Sequence, residues 1–176
     1  MKLIDSKVEI IPQGAGINGV YKQIEVAGRT CYKSEDKITP SSSVDFVKML
    51  SSRKHTAMLE HGTIYLTLQE TSETPEEEFK DMMAVIKKYR DNPYSKMSCT
   101  GEGSLVGHKN TYYITTNFRV IVENNWFADL QYRTEPTEYH HKRITVRFTC
   151  DRGVSHELVR HRAFSFAQES SRQWRH

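Results

Sequence analysis

Apolar residues recur with two different periods along this chain, and the points where the period changes mark out its elements. The stretch KVEIIPQG alternates apolar and polar residues until Pro12 and Gly14, which predicts a strand over residues 2–11 closed by a turn. Ile17, Val20, Tyr21 and Ile24 then fall at helical spacing, predicting a helix despite Gly19. A serine run before Val44, Phe46, Val47 and Leu50 reads as a capped amphipathic helix ending near His55. Ile64, Leu66 and Leu68 alternate with Thr63, Tyr65 and Thr67, the period of a strand. The next helix has the clearest limits: Thr74 as cap, Pro75 in the first turn, Glu76–Glu78 at the positive end, and Lys87, Lys88 and Arg90 at the negative end. Its stripe of Phe79, Met82, Met83 and Ile86 is a core face.

The stretch NPYSKMSCTGEGSLVGHKN reads as loop, because its glycines are too irregularly spaced for a phosphate-binding fingerprint. TYYITTN is a short strand, and FRVIVENNWFADLQYR, with Val120, Ile121, Trp126, Phe127 and Leu130, suits a buried helix. After the loop TEPTEYHHK, Ile144, Val146, Phe148 and Cys150 alternate with Arg143, Thr145, Arg147 and Thr149, predicting a strand with one core face and one basic face. A last helix opens near Ser155 with Val154, Leu158 and Val159 inward. No internal repeat interrupts this order. It predicts an α+β fold, a single domain over residues 1–176 with a mixed or antiparallel sheet flanked by helices.

Composition narrows the class. At 176 residues, with 37% hydrophobic and 27% charged positions, the chain suits one folded domain with a real core. No apolar run is long enough to cross a bilayer and the N-terminus has no signal-peptide pattern, so the expected compartment is the cytoplasm, with no membrane partner. Cys31, Cys99 and Cys150 are widely spaced and form no C-x-x-C pair, which leaves them as buried thiols. Charge is unevenly distributed. From His140 to His176, eight Lys or Arg stand against Asp151, Glu157 and Glu169, a surplus of +5 in a chain of net +3. Such a region asks for an anionic partner, although a solvated face would carry the same charge.

Three chemistries compete for the basic stretch ELVRHRAFSFAQESSR. A zinc hydrolase needs histidines at i and i+4, whereas His156 and His161 are five apart, about 140° around a helix. No metal site is expected. A nucleic-acid module could recruit Phe164, Phe166 and Trp174 for stacking beside the arginines. AFSF, however, also reads as two phenylalanines docked into the core, and no helix-turn-helix, RRM or zinc-knuckle pattern is present. The third reading begins with Arg160, His161 and Arg162. Consecutive residues in a helix point in three directions, so the triplet either ends the helix or touches two ligands, which could belong to two subunits. QESSR adds a carboxamide, a carboxylate, two hydroxyls and a further guanidinium. That inventory suits a nucleotide phosphate and a second anionic cofactor.

At these residues the chain resembles the flavin-dependent thymidylate synthases, or thymidylate synthase complementing proteins. Their signature is an Arg-His-Arg triplet, seven residues, then serine; here Arg160-His161-Arg162 is followed by AFSFAQE, Ser170 and then Arg172. HTAMLEHGTIYLTL is similar to a second family stretch and supplies His55, Glu60 and His61. The resemblance implies reductive methylation of dUMP to dTMP, with FAD as cofactor and NADPH and methylenetetrahydrofolate as co-substrates, in a homotetramer with sites between subunits. It implies that Arg160 faces both nucleotide and flavin, that His161 and Arg162 hold FAD, and that Gln168 touches both ligands. It further implies that Glu169, Ser170, Ser171 and Arg172 cradle dUMP with Glu157 nearby, that Ala57 lies against the flavin, and that His55 lies close by. No protein nucleophile follows from it, so no catalytic residue is singled out. Past Arg172 the family has a tyrosine and a further C-terminal region, whereas this chain reads QWRH. The expectation is a C-terminally truncated domain with weak FAD binding and impaired turnover. A non-catalytic relative that binds a nucleotide or nucleic acid is the alternative.

Overall fold

The computed structural model describes residues 5–104, 107–161 and 163–169. Two compact units divide the chain, Met1–Gly62 with Ile144–His176 and, between them, Thr63–Arg143. Both are α+β, and every strand pairing among the described residues is antiparallel.

The first unit contains strand β1 (Lys7–Ile11), helix α1 (Gly16–Tyr32), helix α2 (Ser42–Ser52) and a 3-10 turn over Thr56–His61. Its core joins Val20, Ile24 and Ala27 of α1 to Phe46, Val47 and Leu50 of α2 and to Leu59. Two glycines let α1 pack this closely. A Cβ on Gly28 would meet Phe46 Cε1 at 2.7 Å, and one on Gly19 would meet the Gly14 carbonyl oxygen at 1.8 Å. Helix α1 stops at Lys33, which takes the left-handed conformation (φ 49°), with its own backbone N–H donating to the Thr30 carbonyl at 3.4 Å and the Ser34 N–H to the Arg29 carbonyl at 3.0 Å. Serine acts differently from the predicted cap of α2: Ser41 makes no side-chain cap, and the Ser42 hydroxyl instead accepts from Thr39 N at 2.9 Å and donates to Thr39 O at 3.1 Å.

β1 pairs with the strand Thr145–Thr149, bringing Val8 opposite Phe148 and Ile10 opposite Val146. The predicted core face of that second strand is not buried. Ile144 is 74% and Phe148 52% exposed, because a two-stranded ribbon has no further layer on this side. The last helix spans Arg152–Leu158, three residues earlier than predicted at its start, because the Asp151 carboxylate accepts from Val154 N at 3.0 Å and caps it there. Val154 consequently faces out.

In the second unit, β2 (Thr63–Glu70), β3 (Lys96–Ser104) and β4 (Gly107–Asn117) form a sheet in the order β2-β4-β3. Helix α3 (Glu76–Arg90) buries Met82, Val85, Ile86 and Tyr89, whereas Phe79 and Met83 of the predicted stripe are half-buried. Thr74 does not cap α3. Its hydroxyl accepts from Thr71 N at 2.9 Å and closes the preceding turn. β2 is more enclosed than a one-faced strand, since Thr63 and Tyr65 are buried along with Ile64, Leu66 and Leu68.

The largest departure from the sequence reading is the expected loop over residues 92–110, most of which is β3 and the first part of β4. β3 has few apolar residues to announce it, because it is an edge strand held by backbone pairing to β4 alone. The predicted buried helix after β4 is also divided. Asn117 Oδ1 caps α4 (Phe118–Asn124) by accepting from Val120 N at 3.1 Å, and left-handed Asn125 (φ 57°) ends it before a 3-10 turn over Phe127–Tyr132. Buried Asp129 fixes that turn by accepting from Lys88 Nζ and, at 2.8 Å, from the Tyr89 hydroxyl. Burial and the adjacent carboxylate both push the Tyr89 phenol above its ordinary range.

His140 anchors the loop after that turn. Its Nδ1 accepts from Thr137 N at 3.1 Å, which leaves Nε2–H to donate to the Leu66 carbonyl, also at 3.1 Å. The rings of Tyr65 and Tyr113 stand edge-on to it, each at 5.2 Å. Burial pushes the imidazole below its ordinary pKa of 6.5. The cysteines depart from expectation too: Cys99 is exposed and Cys31 and Cys150 are half-buried.

Stability should respond at two of these positions. Alanine at Gly19 adds about 1 kcal/mol of helix propensity, but its Cβ would meet backbone that cannot rotate away. The clash outweighs the gain, so Gly19→Ala lowers stability by roughly 1–3 kcal/mol, read as a lower urea midpoint at unchanged slope. For His140, the unfolded chain binds a proton more readily than the folded one. Its contribution is therefore complete above about pH 6.5 and is lost as pH falls below that value. His140→Gln should flatten the acid limb of a melting-temperature profile; an identical limb in wild type and variant would refute this.

Candidate functional site

The described residues expected to bind ligands, together with Glu60 and His61, belong to the first unit. The Asp151 cap starts the short last helix and Val159 ends it. Arg160 and His161 then lie in turns, with Arg160 N donating to Glu157 O at 3.2 Å and His161 N to Leu158 O at 3.1 Å. The triplet thus begins just beyond the helix, one of the two arrangements that its angular spread allowed. Arg162, Ser170, Ser171 and Arg172 lie outside the described residues.

From Ala163 to Glu169 the chain returns toward α1 and the 3-10 turn. The Ser165 hydroxyl donates to Glu60 Oε2 at 2.6 Å. Gln168 Nε2 donates to the Ser155 hydroxyl at 2.9 Å, and Glu169 pairs with Lys33 at the end of α1. The segment is therefore bound to three parts of the unit. Phe164 and Phe166 remain 68% and 36% exposed, with their rings edge to face at 6.1 Å, so they do not dock into the core.

Arg160 Nη1 donates to Glu157 Oε2 at 3.1 Å, but the side chains are 73% and 67% exposed. Solvent screening reduces such a pair to a small contribution. It leaves most of the guanidinium's five N–H donors accessible to an anion. His161 is exposed as well.

Upstream, left-handed Lys54 turns the chain out of α2, and His55 N donates back to the Leu50 carbonyl at 2.9 Å. The His55 ring shares a 3.3 Å hydrogen bond with the Tyr32 hydroxyl, and Ala57 is exposed two residues on. His55 lines a cleft of about 580 Å³ together with Arg29, Tyr32, Lys37, Phe46 and Arg53. Apart from Phe46, read as part of an apolar helix face, sequence reasoning did not single out these residues. Their spread over α1, a 3-10 turn at Glu35–Lys37 and the α2 region leaves no local motif, and only the density of basic residues between Arg29 and Lys54 hinted at them. Nor did it find the bond from Ser165 to Glu60, whose partners lie 105 positions apart.

No curated protein and no solved structure matches the chain. The family model described as thymidylate synthase complementing protein matches residues 105–174, a span that contains the last helix, the Arg-His-Arg triplet and the returning segment. Over those residues the chain is similar to the thymidylate synthase complementing proteins.

Proposed function

We propose that the chain takes part in the reductive methylation of dUMP to dTMP, with methylenetetrahydrofolate as carbon donor, NADPH as reductant and FAD as cofactor. The family implies thymidylate synthesis and hence dUMP as substrate. The observation that carries the finer reading is the tie of the returning segment to Glu60 and Lys33 with the Arg160 guanidinium left open to solvent. A phosphate needs such a donor, with its desolvation and orientation cost already reduced by a fixed backbone.

Arg160 would meet the phosphate of dUMP and the edge of the flavin, and Gln168 would serve both ligands through its two-sided amide. Glu169 would take a hydroxyl or ring N–H, since its carboxylate repels phosphate, with Glu157 beside it. Ser170, Ser171 and Arg172 would complete the nucleotide cradle. The donor set also fits FAD. His161 and Arg162 would offer N–H groups to its anionic portion, exposed Ala57 presents only a methyl group to a flat ring, and His55 stands nearby. FAD supplies the redox chemistry when bound, while these residues bind and orient. Exposure of Arg160 and His161 on a single chain supports a homotetramer in which a second copy encloses them, a reading consistent with cytoplasmic nucleotide biosynthesis.

Exposed Phe164 and Phe166, four and six residues after Arg160, favour one second reading, a single-stranded nucleic-acid surface on which bases stack. The two readings separate in one titration. Arg160→Ala should weaken dUMP binding by roughly 10- to 100-fold, the worth of a charge-assisted hydrogen bond, and reduce the flavin absorbance acquired when FAD is added. Tight, salt-steep oligonucleotide binding that dUMP cannot displace would overturn the synthase reading in favour of the second.

A further inference from the structure

We propose that the cleft between α1 and α2 is an anion site in its own right, one that receives the charged, flexible arm of a co-substrate through Lys37 and Arg53. The choice of co-substrates rests on the synthase reading above. At about 580 Å³ the cleft falls within the size range of small-molecule sites, roughly 300–1,000 Å³.

The positive groups in the lining are not equivalent. Arg29 is already committed, since its Nε donates to buried Glu25 at 2.8 Å and its guanidinium lies 4.7 Å from the centre of the Phe46 ring. It forms wall. Lys37 and Arg53 are exposed, project from different elements, and make no ion pair with any described residue. Two exposed cations on separate elements bind an extended anion better than a compact one, because each can meet a separate charge. Asp45 is the single acid in the lining, so Lys37 and Arg53 together with Arg29 leave it with a positive surplus. His55 lies in the same lining, which links the cleft to the position proposed for the flavin.

The ligand is thus a molecule whose ring system is used near His55 and whose arm carries two or more anionic oxygens toward Lys37 and Arg53. Glutamyl carboxylates on a folate and the 2′-phosphate with pyrophosphate of NADPH both have this chemistry.

Calorimetric titration of the full chain distinguishes them, comparing tetrahydrofolate triglutamate with the monoglutamate, and NADPH with NADH. The wild type should prefer the more highly charged member of one pair by about tenfold, as one charge-assisted contact allows. In the double variant Lys37→Ala, Arg53→Ala that preference should fall to near unity, and in Lys37→Arg it should persist. A preference within the folate pair assigns the arm to glutamyl groups, and one within the nicotinamide pair assigns it to phosphate. Absence of preference in both pairs, or a preference that survives in the double variant, overturns the proposal. Binding of dUMP is measured in parallel. Its retention while the preference fails counts against the cleft alone, whereas its absence in the wild type counts against the synthase reading.

Discussion

A single hydrogen bond, from the Ser165 hydroxyl to the Glu60 carboxylate, ties together the two stretches of chain on which the functional reading depends. The short last helix ends at Leu158, and the described residues beyond it have no regular structure to support them. Without an anchor, the residues after Arg160 would lose most of the entropy advantage of a fixed backbone when a ligand binds. Glu60 supplies that anchor at one point and Lys33 at another, through Glu169. A charge-assisted bond at half-buried Glu60 is stronger than a neutral one, and two tethers restrict a short segment far more than either alone.

The chemistry of the first unit depends on which charges are satisfied internally and which are left over. Arg29 is spent on Glu25 and Phe46, and Lys33 on Glu169. Among the described residues, the Arg160 side chain pairs with Glu157, in a contact so exposed that its partner does not hold it. In the second unit the corresponding groups are consumed structurally: Asp129, Lys88 and Tyr89 form one network, and His140 fastens a loop to β2. None of the residues proposed for ligand binding lies there.

How much of this was legible in the sequence differed by type of signal. Helices α1, α2 and α3 announced themselves because an amphipathic stripe repeats within a few turns. The serine and threonine caps did not, since the same hydroxyls could close a neighbouring turn instead, as Ser42 and Thr74 do. Strand β3 stayed hidden because an edge strand is defined by its pairing partner, which no local pattern reports. Asn125 is the opposite case: an Asn in a helix-like run was a readable stop signal that the apolar pattern around it masked. At the site, the Arg-His-Arg triplet was visible as a motif and its exit from the helix as a geometric option, whereas the contacts of Ser165 and Glu169 are long-range and left no trace in spacing.

Lys33 shows how function and foldability meet at one backbone position. Its left-handed conformation is one that glycine would adopt at about 1 kcal/mol less. Engineering rules that reward glycine at helix ends would exchange it without hesitation and register a gain in robustness. The exchange would also delete the ammonium group that holds Glu169. At this corner, the relaxed backbone comes with an untethered strap.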